Sequence, residues 1–181
     1  MFPAVFLDRD GVIIENRANY VRAWEDVEIF PQALAALARL KNSPFKIVII
    51  TNQAGIGHGL IRLQAAAEIN RRLIEEIERA GGRIDGLYLC PHRPDEGCSC
   101  RKPKPGMILQ AAEELDIDLQ RSILIGDALT DLQAGIAAGV GQVALVRTGR
   151  GAEQEQAAEQ MFPFPVFDTL SQAVNALIFD R

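Results

Sequence analysis

Two groups of residues in this 181-residue sequence have the types and spacing that chemistry needs. The first is a set of polar residues that directly follow apolar runs. Asp8 and Asp10 lie in Leu7-Asp-Arg-Asp-Gly11, Thr51 in Ile50-Thr-Asn-Gln-Ala54, and Asp127 in Gly126-Asp-Ala-Leu-Thr-Asp131. Two carboxylates one residue apart around a glycine turn can face the same space. Taken alone, the same pair also fits a polar turn whose carboxylates cap backbone N–H groups. Thr51 and nearby amides can hold an anionic oxygen, and the glycines of Ala54-Gly-Ile-Gly-His-Gly59 let backbone approach a ligand. They also fit a plain connection in which Thr51 or Asn52 closes a local turn and His58 is an exposed loop residue. Thr130 and Gln133 have the spacing of a capping box, which gives Asp131 a role at a helix start and leaves Asp127 unexplained.

The second group is Cys90, His92, Cys98 and Cys100: every cysteine of the chain and one of its two histidines, within eleven residues. Three thiolates and one imidazole fill all four positions of a tetrahedral zinc ion, which implies a structural rather than a catalytic metal. The pairs are not Cys-x-x-Cys, which argues against a redox role. Arg101 and Lys102 follow at once and supply positive charge. Lys104 reads as a solvated entry to the next helix.

These residues need elements to carry them. Short β-branched runs over Ala4–Asp8, Lys46–Thr51, Gly86–Cys90, Ser122–Asp127 and Gln142–Val146 read as strands. Their hydrophobicity is unbroken rather than alternating, as in a parallel sheet buried on both faces. Helical patterns lie between them, over Pro31–Leu40, Leu63–Ala80, Pro105–Leu115 and from Asp131 to Ala138. In Leu63–Ala80 the stripe reads Leu63, Ala67, Ile69, Leu73, Ile74 and Ile77. A weak strand over Pro165–Asp168 and a helix over Leu170–Ile178 close the chain, and Gly151–Gln160 reads as a solvated loop or loose helix. The expected fold is α/β: a Rossmann-like parallel sheet sandwiched by helices, with residues 1–181 as one domain. Ligands bind at the carboxyl ends of such strands, where Asp8, Thr51, Cys90 and Asp127 all stand.

Nearly half of the chain is hydrophobic, as in ordinary soluble domains, and its formal charge is −5. That balance disfavours a nucleic-acid partner. No apolar run approaches the roughly 20 residues of a membrane span, and the N-terminus lacks the basic region of a signal peptide. A cytoplasmic protein is expected, in which clustered thiols bind metal rather than form disulfides.

The ordered set Asp-x-Asp, Thr-Asn, Lys and Gly-Asp-x-x-x-Asp at successive strand ends resembles the haloacid dehalogenase superfamily of aspartate-nucleophile phosphatases, over Ala4–Gly151. The resemblance implies Asp8 as nucleophile, Asp10 as general acid and base, and Thr51 and Lys102 as stabilisers of the transferring phosphoryl group. It implies Mg²⁺ held by the carboxylates of Asp8 and Asp127 and the backbone carbonyl of Asp10, with Asp131 orienting Lys102. Cys-Pro-His through Cys-x-Cys-Arg-Lys-Pro resembles the zinc-bearing branch, which contains D,D-heptose 1,7-bisphosphate phosphatases and histidinol-phosphate phosphatases. Phe6–Gly11, Asn19-Tyr-Val21, Thr51–Ile56, Lys104–Met107 and Leu145–Gly151 look more like the heptose enzymes. By that resemblance the substrate is a small phosphorylated sugar, its contacts Asn16, Asn19, Asn52, Gln53 and Arg101. Arg101 suits a second phosphate or polar hydroxyls, and the loop Asn16–Asn19 reads equally as a polar surface turn. Ala128 stands where the heptose enzymes often carry lysine. The gap between the first two motifs leaves no room for a large cap domain, and a monomer is expected. The rivals are histidinol phosphate as substrate, a phosphatase of nucleic-acid ends, and a non-catalytic zinc-binding module.

Overall fold

The computed structural model describes residues 1–180. Six apolar runs form β1 (Ala4–Leu7), β2 (Lys46–Asn52), β3 (Gly86–Cys90), β4 (Ile123–Gly126), β5 (Gln142–Val146) and β6 (Val166–Phe167). They pair in the order β3-β2-β1-β4-β5-β6, every neighbouring pair parallel. The runs are unbroken because both faces are covered. Val5, Leu7, Ile47, Ile49, Ile123 and Ile125 enter one core, and their chain neighbours Ala4, Phe6, Val48, Ile50 and Leu124 enter the other.

The helices are α1 (Pro31–Leu40), α2 (Ala54–Gly57), α3 (Leu63–Arg79), α4 (Gly106–Glu114), α5 (Leu129–Ala138), α6 (Gly151–Glu159) and α7 (Leu170–Val174). Helices α1, α3 and α7 close the first core through residues such as Leu37, Leu73 and Leu170. Helices α4, α5 and α6 close the second through Met107, Ala111, Leu132 and Ala158. Between β1 and β2 the chain forms one 3-10 turn (Trp24–Asp26) and α1, so the described residues contain no large cap. Among them no helix is long and apolar enough to cross a membrane.

Two local readings change, and one left open between loop and helix resolves to helix. Helix α5 begins at Leu129, so Thr130 lies inside it and is not a cap. Its N-cap is Ala128, which has no polar side chain; Asp131, three positions on, accepts the Ala128 N–H instead, at 3.1 Å. The stripe of α3 is rotated: Leu63 and Ala67 are exposed, and Ala66, Ile69, Asn70, Leu73 and Ile77 are buried. Residues 151–159 are helical although only Gly151 and Ala158 are buried there, which is why the segment shows no apolar period.

Strand order reverses between β1 and β4, the neighbours from which the two halves of the sheet run outward. Connections diverge at such a point and leave a crevice beyond the strand ends. Asp8 is the first residue after β1 and Asp127 the first after β4, so both enter that crevice.

Candidate active site

Asp8, Asp127 and Asp131 bring carboxylate oxygens within 4.8 Å of one another, all buried. Lys102 reaches in from the loop after β3, its Nζ 2.9 Å from Asp8 Oδ1 and 2.7 Å from Asp131 Oδ1. It also donates to the Ile50 carbonyl at 3.1 Å. Burial alone would lower the Lys102 pKa, but Asp131 and Asp8 outweigh it and hold the ammonium charged. Asp131 spends its second oxygen on the N–H groups of Asp127 and Ala128, each at 3.1 Å. Both its oxygens are therefore committed, and it orients Lys102.

Asp127 is different. Its Oδ2 accepts from Asn16 Nδ2 and from the Arg150 N–H, both at 2.9 Å. Its Oδ1 is buried and has no protein partner. Burial, then repulsion from Asp131, pushes the Asp127 pKa up to about 6. The same two causes raise Asp8 well above the ordinary carboxylate range. Asp8, Asp10, Asp127 and Asp131 face two buried cations, Lys102 and Arg9, and the more exposed Arg150, whose Nε is 3.8 Å from Asp127 Oδ2, so carboxylates outnumber cations and a deficit of positive charge remains. A hard cation taking carboxylate oxygens fits the orphaned Asp127 Oδ1 and this deficit. Glycine is required beside it. At Gly11 (φ +89°) a Cβ would lie 2.0 Å from Asp127 Oδ2, and at Gly149 (φ +60°) 2.4 Å.

Thr51, at the end of β2, is buried and accepts from Gln53 Nε2 at 2.6 Å. The same amide nitrogen donates to Asp10 Oδ2 at 3.0 Å. Asn52 brackets the backbone of Lys102, accepting its N–H at 3.1 Å and donating to its carbonyl at 3.2 Å. Asn16, Asn52 and Gln53, expected to touch substrate, thus also hold the catalytic candidates in place. Asn19 is not drawn in: it is exposed, its carbonyl accepts from Arg22 Nε, and it does not line the cavity. The loop folds back at Arg17–Tyr20, and Arg17 and Tyr20, both exposed, line the cavity instead, with the Arg17 guanidinium paired to Glu28.

The crevice opens into a cavity of about 550 Å³ whose wall includes Asp10, Arg17, Arg101, Lys102 and Arg150. Sequence reasoning gave no role to Arg9 or Arg150, and Arg17 entered it only as part of the loop Asn16–Asn19. The signals for Arg150 were the resemblance of Leu145–Gly151 and its glycine-flanked position in Thr148-Gly-Arg-Gly151, shortly after a strand end.

The cysteine group closes as its spacing requires. Cys100 Sγ lies 3.1 Å from Cys90 Sγ and 3.5 Å from Cys98 Sγ, and Cys90 and Cys98 are 3.6 Å apart. His92 Nδ1 is 3.3 Å from Cys100 Sγ and 3.5 Å from Cys90 Sγ. A tetrahedral zinc site with Zn–S of about 2.3 Å has edges of roughly 3.8 Å, so these four donors fit that ion. All three cysteines are free of disulfides. Burial pushes the Cys90 thiol up to about 12. Burial opposes the Cys98 thiolate too, but N–H donation from Arg101 leads the contacts that bring it down to about 7. The loop is tied to the active site: Arg101 Nη1 donates to the His92 carbonyl at 3.2 Å. Lys104 does more than meet solvent, since its Nζ donates to the Gly97 and Cys98 carbonyls at 3.2 and 2.8 Å.

A family model described as "HAD-hyrolase-like" matches residues 99–173. With this sheet, these carboxylates and the relatives below, the chain belongs to the haloacid dehalogenase-like hydrolases. Within that class it is similar to D-glycero-beta-D-manno-heptose-1,7-bisphosphate 7-phosphatases. That of Yersinia pestis is 39% identical over 166 residues, 87% of this chain and 88% of the relative. That of Helicobacter pylori is 44% identical over 138 residues, 76% and 79% of the two chains. A crystal structure of D,D-heptose 1,7-bisphosphate phosphatase from B. bronchiseptica, complexed with magnesium and phosphate, aligns with a TM-score of 0.91 at 34% identity. It covers 99% of each chain.

Proposed function

We propose that this chain is a Mg²⁺-dependent phosphatase of sugar phosphates, acting on the 7-phosphate of D-glycero-D-manno-heptose 1,7-bisphosphate. One observation carries the reading: a buried Asp8–Lys102–Asp127 cluster at the sheet's switch point, opening on a cavity walled by arginines. Asp8 attacks phosphorus; the bond to the sugar oxygen breaks while Asp10 gives that oxygen a proton. Water then attacks the phosphoryl group on Asp8, Asp10 takes its proton, the Asp8–phosphorus bond breaks, and phosphate leaves. Lys102 and Thr51 face the charge on the transferring group. Asp8, Asp127 and the Asp10 carbonyl would hold Mg²⁺, which would supply charge neutralisation at the phosphoryl oxygens. Zn²⁺ at Cys90, His92, Cys98 and Cys100 would be structural.

The charge of the wall supports a substrate with two anionic groups. Arg101 and Arg150 reach the cavity beside Lys102. L-histidinol phosphate carries an amine and an imidazole, which such a wall disfavours, and the net charge of −5 gives no footing for nucleic-acid ends. We take a monomer as the active unit, and the thiol cluster suits a reducing cytoplasm. We take residues 1–181 as a single domain.

Phosphate release with Mg²⁺ tests this over the heptose bisphosphate, L-histidinol phosphate and simple sugar phosphates. The bisphosphate is expected to give the highest kcat/KM, and Asp8→Asn to abolish turnover of all of them. A clear preference for histidinol phosphate, or an active Asp8→Asn, overturns the reading.

A further inference from the structure

We propose that Arg9 is the positioning residue of the proton-transfer step, clamping the Asp10 carboxylate from behind while its open side faces substrate. The inference rests on the phosphatase reading above and adds a residue to it.

Arg9 stands between the two catalytic carboxylates in sequence, on a turn where an arginine could easily reach water. It is instead 1% exposed and among the largest fully buried side chains of the protein. Its Nε donates to Asp10 Oδ2 and its Nη2 to Asp10 Oδ1, both at 3.2 Å, a two-pronged grip on one carboxylate. The rest of the guanidinium is anchored on two other elements. Nη2 donates to Gln53 Oε1 at 3.0 Å, just before α2, and Nη1 donates to Asn70 Oδ1 at 2.8 Å, on α3. Gln53 then closes the ring through its bonds to Asp10 Oδ2 and Thr51 Oγ1. Asn70 explains the rotated stripe of α3: a polar residue occupies the buried face because it receives this guanidinium.

Stability alone is a weak reason for such burial. Ion pairs taken out of water commonly do no better than apolar residues of the same volume. Position is the stronger reason. The Asp10 side chain keeps 22% exposure against 1% for Arg9, and Asp10 lines the cavity whereas Arg9 lies behind it. The carboxylate plane is thereby fixed relative to the cavity. Proton delivery to a leaving oxygen requires that, since misplacement by about 1 Å can cost on the order of 100-fold in rate. A lysine could keep the charge but not the two-pronged geometry.

The test uses Mg²⁺- and Zn²⁺-loaded enzyme and kcat/KM, which reports the steps through phosphoryl transfer to Asp8. Two substrates are compared: a sugar phosphate, whose alkoxide must be protonated to leave, and p-nitrophenyl phosphate, whose leaving group departs without a proton. Arg9→Lys is expected to lower kcat/KM about 100-fold on the sugar phosphate and less than about fivefold on p-nitrophenyl phosphate. In an Asp10→Asn background the same change is expected to cost under about threefold on the sugar phosphate, because nothing remains to position. Asn70→Ala removes only the far anchor and is expected to show the same pattern at about tenfold, so the inference stays testable if Arg9→Lys does not fold. Equal losses on both substrates, or full additivity with Asp10→Asn, would make Arg9 merely structural and overturn the proposal. Wild-type enzyme inert on both substrates, or an active Asp8→Asn, would overturn the phosphatase reading itself, a distinguishable result.

Discussion

Lys102 shows how tightly this site is balanced residue by residue. Its ammonium lies between Asp8 and Asp131, all three side chains at most 7% exposed. Lys102→Met keeps the volume and removes the charge, leaving two buried carboxylates facing each other. Breaking a buried pair in this way costs about 3–5 kcal/mol, so urea unfolding at pH 7 should show a loss of that order, along with loss of activity. The sign with pH follows from the direction at Asp8. Its pKa in the fold is already raised above the unfolded value and rises further without Lys102. Ionising it therefore costs stability above its unfolded pKa, and the cost disappears as it is protonated. The deficit of the variant should shrink as pH falls. An undiminished deficit at pH 5 would mean that lost packing, not charge, is its source. Asp8 and Asp127 were legible in the sequence because a carboxylate directly after a buried apolar run is costly to place there unless a cation or a reacting group meets it. Arg9 was not: between two aspartates it reads as a turn charge. Its burial depends on Asn70, 61 positions away, and on Gln53, 44 away.

At the scale of elements, the loop from β3 to α4 is the device that delivers cations to the strand ends. Gly106 N–H bonds the Ser99 carbonyl at 3.1 Å, Lys104 N–H the Arg101 carbonyl at 2.9 Å, and Arg101 the His92 carbonyl. The Cys90–His92–Cys98–Cys100 clip thus ends one residue before Arg101 and two before Lys102, the groups that would grip phosphate. Chelating zinc from otherwise folded protein, with Mg²⁺ saturating, should raise the Kd for inorganic phosphate by about tenfold, roughly the worth of one charge-assisted contact. Isothermal titration with and without zinc checks this; an unchanged Kd would detach the clip from the site. The quartet could be read from composition, because all the cysteines are spent on it. The start of α5 could not. Thr130 offered a familiar cap, whereas the true N-cap, Ala128, is served by a carboxylate reaching back from inside the helix. Phase in α3 was misjudged for a related reason: a scheme that buries only apolar residues cannot place Asn70 inward.

At the scale of the whole molecule, the parallel sheet gathers residues from four distant segments to one edge. Parallel pairing and the two helical layers followed from the unbroken apolar runs, since burial on both faces leaves few other arrangements. The cavity wall did not follow. Arg17 and Arg150 come from loops whose conformations depend on contacts made only in the fold, such as Thr148 Oγ1 donating to the Gly11 carbonyl at 2.6 Å. The open crevice has arginines and Lys102 at its wall, with Asp8 buried behind Lys102, and in the proposed function one phosphate is cleaved while cations hold the other. Phosphorus NMR of heptose 1,7-bisphosphate turnover in Mg²⁺ tests that most directly. The account predicts that the C7 phosphate signal converts to inorganic phosphate while the C1 phosphate persists, and that Asp8→Asn leaves both signals unchanged. Release of the C1 phosphate first, or turnover by Asp8→Asn, would contradict it.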